Sequence, residues 1–170
     1  NEAYIRGKDL RIGDWVQVKR AGEVIPQVIG PIPERRDGGE KQWRMPKKCP
    51  ACRTPVQREG DEAAIYCPNV ACPGRQLEGL VHFASRGAMD IRGLSYARIE
   101  QLIEAGLVHD IADIFGLRTD DLVKLERFAE KSADALVAAI EESKQRPLAR
   151  LINGLGIRHV GEVTSQLLAR

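Results

Sequence analysis

The sequence has few aromatic residues and no long apolar run. Its 170 residues include two Trp, three Tyr and three Phe, so a core must be built mainly from aliphatic and small side chains. No stretch of about 18 apolar residues occurs that could form a transmembrane helix. No secretory signal segment precedes the cysteines, so we expect a folded intracellular protein.

Cysteine is also absent from most of the chain, because all four cysteines fall in one short window. Cys49 and Cys52 are separated by two residues and Cys67 and Cys72 by four, with fourteen residues between the pairs. This spacing allows four thiolates to surround one tetrahedral ion. We therefore predict a structural zinc ion with no open coordination position for catalysis. Two disulfide bonds are the alternative, which the missing signal segment disfavours.

The charge is small overall but unevenly distributed. The net charge is +2, yet residues 1–60 carry thirteen basic and eight acidic side chains, whereas residues 61–170 carry thirteen and sixteen. Basic residues cluster around the first cysteine pair and again towards the C-terminus. Such clusters are often only solvated surface, but their placement favours a polyanionic partner.

The first 45 residues have the pattern of short strands followed by a loop. Val16 and Val18 alternate with polar residues between turn signals, which predicts two or three strands within residues 1–33. So few strands cannot bury a core, and the chain starts at Asn1, so we expect a fragment of a longer protein. Residues 34–45 are polar and predict a flexible loop.

Helical periodicity follows the last cysteine. Apolar stripes begin at Leu77, Ile99 and Ala133. Asp110 and Thr119 are expected to cap two short helices between these stripes, and two further helices are predicted towards the C-terminus. We therefore divide the chain into domains at residues 1–45, 46–75 and 76–170, the last truncated at its C-terminus.

One short unit recurs three times in the helical part. Each copy has an apolar residue, a tight turn and the start of a helix, at residues 91–99, 125–133 and 151–161. This is the helix-hairpin-helix unit, whose turn presents backbone N–H groups at a helix N-terminus to a phosphate. Because backbone amides do not read bases, binding would be independent of DNA sequence. The alternative is that each glycine merely ends a helix.

The three copies differ in their glycines. Gly93 is followed two residues later by Ser95, and we place Gly154 and Gly156 at the same positions of the third copy, whereas the second copy has no glycine there. If those positions need positive φ, a non-glycine residue costs about 1 kcal/mol. The residues expected to contact DNA at these turns are Gly93, Ser95, Lys131, Gly154, Gly156, Arg158, His159 and Gly161.

Several strings, in this order, resemble the bacterial NAD-dependent DNA ligase family. They are DLRIGD at 9–14, RAGEVIP at 20–26, CPAC at 49–52, RGAMDI at 86–91, RPLAR at 146–150 and GLGIRHVG at 154–161. The resemblance spans essentially the whole chain and corresponds to the C-terminal half of that family. It implies a multidomain fold, with a partial OB-fold β remnant, a small four-cysteine zinc finger and an all-α helix-hairpin-helix domain.

The resemblance also implies a function for the parent protein. Such ligases seal nicks in duplex DNA during replication and repair, by moving AMP from NAD to a lysine and then to the 5′-phosphate, which the 3′-hydroxyl attacks with the help of Mg. Arg20, Val24 and Ile25 fall where that family contacts DNA in the minor groove. The adenylation domain that holds the lysine is missing here. We therefore expect no catalytic residue, and a fragment that binds nicked DNA without ligating it.

Two other classes of protein fit parts of the pattern. One is a non-enzymatic zinc and helix-hairpin-helix DNA-binding module of another repair protein, whose parent would lack an adenylation domain. The other is a protein-interaction adaptor, which would show no salt-dependent affinity for DNA. The ligase interpretation implies nicked double-stranded DNA and the adenylation domain of the same polypeptide as partners, no membrane, and a place in the bacterial cytoplasm at the nucleoid.

Overall fold

The computed structural model describes residues 1–22, 25–60 and 62–170, which form two compact units, Asn1–Asn69 and Val70–Arg170. The first unit contains α1 (Glu2–Gly7), β1 (Arg11–Ile12), β2 (Val16–Ala21), β3 (Ile25–Pro31), a 3₁₀ turn (Pro33–Arg35) and β4 (Lys41–Gln42). The second contains α2 (Pro73–Ala84), α3 (Tyr96–Glu104), α4 (Ile111–Ile114), α5 (Thr119–Leu122), α6 (Glu130–Ser143), α7 (Leu148–Gly154) and α8 (Glu162–Leu168).

The first unit begins with a helix, which corrects the prediction of β structure throughout residues 1–33. The Asn1 side chain caps α1 by accepting hydrogen bonds from the N–H groups of Ala3 at 2.9 Å and Tyr4 at 3.3 Å. The Tyr4 hydroxyl donates to the Val28 carbonyl and so ties α1 to β3. A helix of six residues is too short for an apolar period to mark it in the sequence.

Two of the predicted strands are confirmed as β2 and β3, which pair with each other. The two strands run antiparallel, with Val18 opposite Val28 and Arg20 opposite Pro26, and the register shifts between Gln17 and Val18. β1 pairs with β4 in a second two-stranded sheet. The first unit therefore consists of two small ribbons rather than one continuous sheet in the part of the chain that the structure describes.

Residues 34–45 are mostly loop, as the sequence predicts, but two short elements and an ionic cluster fix parts of this segment. The 3₁₀ turn and β4 order parts of this segment, and Arg36 donates hydrogen bonds to Asp14 at 2.7 Å and to Asp9 at 2.8 Å. The Asp14 side chain is only 1% exposed, and its hydrogen bond to Arg36 lowers the pKa of this carboxyl to about 2. Ionic contacts between residues so far apart leave no periodic signal in the sequence.

The hydrophobic core lies in the second unit. Its fully or nearly buried members are Leu80, Phe83, Ala84, Met89, Ile91, Leu94, Ile99, Leu102, Val108, Ile114, Leu117, Leu122, Phe128, Ala133, Leu136 and Ile140. Most are aliphatic, as the low aromatic content predicts. Among the described residues of the first unit, only Cys49 is buried. No helix within the described ranges is both long and apolar enough to cross a membrane.

The two predicted caps of the short helices have different outcomes. Asp110 caps α4 as predicted, because its side chain accepts a hydrogen bond from the Ala112 N–H at 2.7 Å. The prediction for Thr119 is wrong, since Thr119 is the first residue of α5 and Arg118 occupies the N-cap position. The Thr119 hydroxyl instead donates to Asp134 of α6 at 2.8 Å. The Thr119 hydroxyl thus makes a tertiary hydrogen bond instead of capping a helix.

Candidate metal centre and nucleic-acid interface

The four cysteines converge in one cluster. Their sulfur atoms all lie within 4.8 Å of one another, and the Sγ atoms of Cys52 and Cys67 are 3.4 Å apart. None of the four cysteines forms a disulfide bond, and 3.4 Å is far longer than a disulfide bond of about 2.05 Å. The disulfide alternative is therefore wrong, and the cluster has the donor set of a tetrahedral thiolate site.

A tight turn presents the first cysteine pair. The Cys49 N–H donates to the Thr54 carbonyl at 2.8 Å, and the Arg53 N–H donates to the Cys49 carbonyl at 2.9 Å. The Cys52 Sγ lies 3.2 Å from the Thr54 hydroxyl oxygen. This side-chain hydrogen bond is the main cause that lowers the pKa of the Cys52 thiol to about 6. The thiolate that a metal requires is thus the main form at neutral pH.

A backbone bridge and a helix start present the second pair. Gln57 and Tyr66 exchange two backbone hydrogen bonds of 2.8 Å, which returns the chain to the first pair at Cys67. Cys72 is the N-cap residue of α2, so the start of this helix fixes its position. Cys72 is 1% exposed and Cys49 7% exposed. The residues therefore fit a structural zinc ion that is shielded from water and has no open position.

The first two hairpin turns share one backbone geometry. Gly93 has φ +87° and Arg127 has φ +62°. Two residues after each of these, Ser95 and Ala129 are extended and occupy the N-cap positions of α3 and α6. Positive φ is therefore required at the first position of the turn only, so the absence of glycine at Ser95 and Ala129 has no conformational cost. Arg127 adopts the unfavourable conformation that Gly93 adopts freely.

The third turn lies five residues later than predicted. His159 has φ +65°, and Gly161 is extended and caps α8. His159 and Gly161 thus correspond to Gly93 and Ser95, which corrects the placement of Gly154 and Gly156 at these positions. In all three copies, the residue with positive φ lies two residues before the N-cap of the next helix. This spacing, rather than the position of glycines, would have located the third turn.

Gly154 and Gly156 have structural roles at the end of α7. Gly154 is the buried last residue of the helix, and a Cβ there would lie 3.1 Å from the Phe83 ring and 3.3 Å from the Ala88 Cβ. Gly156 follows the C-cap residue with φ +62°, the conformation that commonly ends a helix. For this pair, the alternative that the glycines end a helix is confirmed.

Two family models match the first part of the chain, and known relatives match its whole length. The model for the NAD-dependent DNA ligase OB-fold domain matches residues 1–40, and the model for the NAD-dependent DNA ligase C4 zinc finger domain matches residues 48–73. A DNA ligase of Gemmatimonas aurantiaca is 65% identical over 100% of this chain and 25% of its own length. The chain therefore resembles a part of NAD-dependent DNA ligases that contains their OB-fold and C4 zinc finger domains.

Two further DNA ligases match over almost the same span. DNA ligases of Pelotomaculum thermopropionicum and Rubrobacter xylanophilus are 57% and 52% identical, each over 99% of this chain and 25% of the relative. The chain thus spans about a quarter of the length of the ligases it matches. The C4 zinc finger model covers all four cysteines, so the predicted zinc ligands Cys49, Cys52, Cys67 and Cys72 are those of the ligase zinc finger.

Two of the three positions suggested by the resemblance to ligases, Arg20 and Ile25, lie on the paired strands β2 and β3. Arg20 is exposed near the end of β2, and Ile25 begins β3 with 68% of its surface exposed. Val24 lies outside the described residues. In the second unit, Lys131 is exposed in the first turn of α6, and Arg158 is exposed beside the third hairpin turn. These positions are accessible to a ligand, and their contact with DNA remains a prediction.

Proposed function

We propose that this chain is the DNA-holding part of an NAD-dependent DNA ligase that seals single-strand nicks in duplex DNA during replication and repair. The observation that supports this most strongly is the match along the whole chain to DNA ligases, at 65% identity in one case. In this proposal the parent protein uses NAD and Mg, and its adenylation domain carries the reacting lysine. The chain itself contributes no catalytic residue and acts in the bacterial cytoplasm at the nucleoid.

We infer that the functional domains are residues 1–45, 46–75 and 76–170. The family models at residues 1–40 and 48–73 support the first two. The change from strands and turns to helices at α2 supports the third. The zinc ion would order the middle domain and would take no part in the reaction, because four thiolates leave no position for water or substrate.

The repeated turns support DNA binding through a helix-hairpin-helix domain. At residues 93–95, 127–129 and 159–161 the backbone places a positive φ two residues before a helix N-cap. N–H groups at the starts of α3 and α6 would bind phosphate oxygens, and Lys131, Arg158 and His159 would add charge-assisted contacts. Contacts of this kind hold any DNA sequence alike. Gly154 and Gly156 would contribute indirectly, by letting α7 pack and end.

The first unit would contact the same duplex near the nick. Of the three residues suggested by the resemblance, Arg20 lies in β2 and Ile25 in β3, and both are exposed. A guanidinium with an apolar neighbour suits the minor groove, where arginine contacts phosphate or sugar and an apolar side chain contacts deoxyribose. These residues would therefore bind backbone and groove without selecting a sequence.

Binding to nicked duplexes over a series of salt concentrations tests the proposal. We expect log K to fall linearly with log salt, with a slope of about −0.9 for each phosphate neutralised, and equal affinity for two nicked duplexes of unrelated sequence. Arg158→Met should make the slope shallower by about one phosphate. Absence of binding at low salt, or affinity independent of salt, would favour the protein-interaction adaptor.

A non-enzymatic repair module would also bind DNA. An experiment on the full-length parent protein is therefore needed to distinguish such a module from a ligase. The ligase proposal requires a Lys-x-Asp-Gly motif in the parent polypeptide and transfer of AMP from NAD to its lysine. Mass spectrometry of the parent after incubation with NAD and Mg would show an adenylated lysine. A parent that has no such motif and gains no AMP would be a binding module.

A further inference from the structure

We propose that Arg98 and Gln101 of α3 are positioning residues, which fix the second hairpin turn (127–129) against the first (93–95) so that both present their helix N-termini to one DNA backbone. This inference rests on the proposed function, because the spacing of the turns matters only if they bind DNA. One face of α3 contacts both turns.

Arg98 contacts both turns through a single guanidinium group. Its Nη1 donates a hydrogen bond to the Gly93 carbonyl at 2.8 Å, and its Cζ lies 4.7 Å from the centre of the Phe128 ring. Gly93 belongs to the first turn, and Phe128 is the middle residue of the second. Because Phe128 is only 7% exposed, the cation lies against a ring that is anchored in the core.

Gln101 adds a second contact one helical turn further along the same face. Its Nε2 donates to the Glu126 carbonyl at 2.9 Å. The contacts of Arg98 and Gln101 therefore reach the residues on both sides of Arg127, which is the residue that adopts φ +62°. A conformation that is unfavourable for arginine is thus held by neighbours on both sides.

Gly93 completes the arrangement by leaving room for the guanidinium. A Cβ at Gly93 would lie 3.2 Å from Arg98 Nη1. Because Gly93 has no side chain, it can adopt the positive φ of the first turn, and it also leaves space for the Arg98 guanidinium. In addition, the backbone N–H of Arg98 donates to the Ser95 hydroxyl at 3.4 Å. Arg98 is therefore also hydrogen-bonded to the residue that caps α3.

These contacts make Arg98 a poor candidate for a direct phosphate ligand. Its side chain is half-buried, and its guanidinium is already engaged by a carbonyl and a ring. Holding two binding turns in a fixed arrangement before DNA arrives lowers the ordering cost of binding. Loss of Arg98 should therefore weaken DNA binding without removing a phosphate contact.

The experiment compares variants of the whole chain in binding to one nicked duplex over a salt series. We expect Arg98→Met and Gln101→Leu each to weaken binding roughly three- to tenfold at every salt concentration, with the slope of log K against log salt unchanged. Arg98→Lys, which keeps the donor and the charge, should recover most of the affinity. Arg118→Met is the matched control, because it removes an exposed cation of the same unit and should change affinity less than about twofold.

Amide hydrogen exchange without DNA supplies a readout that does not depend on binding. Arg98→Met should speed exchange in residues 127–129 and leave the middle of α6 protected. A slope shallower by about 0.9 would instead make Arg98 a phosphate ligand and overturn the proposal, as would unchanged affinity or unchanged exchange in a folded variant. If Arg98→Met does not fold, Gln101→Leu carries the same test. If the wild type does not bind DNA, the proposed function fails, whereas faster exchange would still support the link between the turns.

Discussion

Asp14 is the residue whose ionisation stabilises the first unit most directly. Its pKa of about 2 lies below the ordinary 3.8, mainly because Arg36 hydrogen-bonds to the carboxylate. A depressed pKa in the folded state stabilises the protein above pH 3.8, and that contribution is lost as the pH falls towards 2. Asp14→Asn should therefore destabilise the first unit at neutral pH, and the difference from wild type should shrink between pH 4 and pH 2.

Tryptophan fluorescence measures this effect, because Trp15 and Trp43 both lie in the first unit. Urea unfolding followed by this signal at several pH values gives the stability difference between the variant and wild type. Asp120→Asn, which changes an exposed carboxylate of the second unit, is the control. A difference for Asp14→Asn that stays constant down to pH 2 would contradict the ionic origin of the stabilisation.

Gly154 is a residue whose missing side chain is required by packing. Gly154→Val would place a Cβ 3.1 Å from the Phe83 ring and 3.3 Å from Ala88, so we expect overpacking to destabilise the second unit by about 1–3 kcal/mol. Gly79→Val is the matched control, since Gly79 is exposed in α2 and a Cβ there meets nothing within 4 Å. Thermal unfolding followed by helical circular dichroism should show a lower midpoint for the first variant only. Equal midpoints would mean that α7 can shift to admit the side chain.

Single residues also show what sequence patterns can and cannot give. The spacing of the cysteines was sufficient to identify the metal ligands, because a metal site places a direct geometric demand on nearby positions. The hairpin turns were misplaced in the third copy, because glycine was taken as their marker. Arg127 and His159 adopt positive φ without being glycine, and only the backbone reveals that choice.

At the scale of elements, we expect the segment at residues 48–73 to depend on an ion, because Cys49 and Cys72 are the only buried residues among those described there. Its cysteines supply the convergent contacts, and among its described residues the backbone pairs through tight turns and isolated bridges such as Gln57 with Tyr66. Removing zinc with a chelator, or changing Cys49 and Cys52 to serine, should therefore abolish the protection of this segment. Limited proteolysis and hydrogen exchange would show cleavage and exchange there, while α6 stays protected.

Zinc added back to the chelated protein is the control for this prediction, and it should restore the original protease resistance. The serine variants should not recover, because they lack two of the four thiolates. Resistance that survives chelation would mean that hydrogen bonds such as that between Cys49 and Thr54 suffice to order the turn. The ion would then be dispensable for the local fold.

Elements were predictable in proportion to their length and their periodicity. The long stripes of α2, α3 and α6 were found because their apolar residues face one core. α1 and the ordering of residues 34–45 were missed because capping by Asn1 and the ionic contacts of Arg36 stabilise them. Short elements that depend on single tertiary contacts carry no pattern in the sequence.

At the scale of the whole molecule, the chain should bind a nick without sealing it. It spans about a quarter of the length of its ligase relatives, and the proposal places the reacting lysine in the remainder of the parent. With nicked duplex, NAD and Mg, we expect no joined strand on a denaturing gel and no AMP adduct on the chain by mass spectrometry. A joined strand would contradict the proposal that this chain only binds DNA and that the reacting lysine lies elsewhere in the parent protein.

The same division predicts that the isolated chain competes with an intact ligase. If the chain occupies nicks through its turns, an excess of it should slow sealing by a full-length NAD-dependent ligase, and more DNA should relieve the inhibition. A chain carrying both Lys131→Met and Arg158→Met should compete less, because it lacks two cations that neutralise phosphates. Raising the salt concentration should weaken competition by the wild-type chain in the same way. Inhibition that persists at high salt, or that excess DNA does not relieve, would mean that the chain binds the ligase rather than the nick.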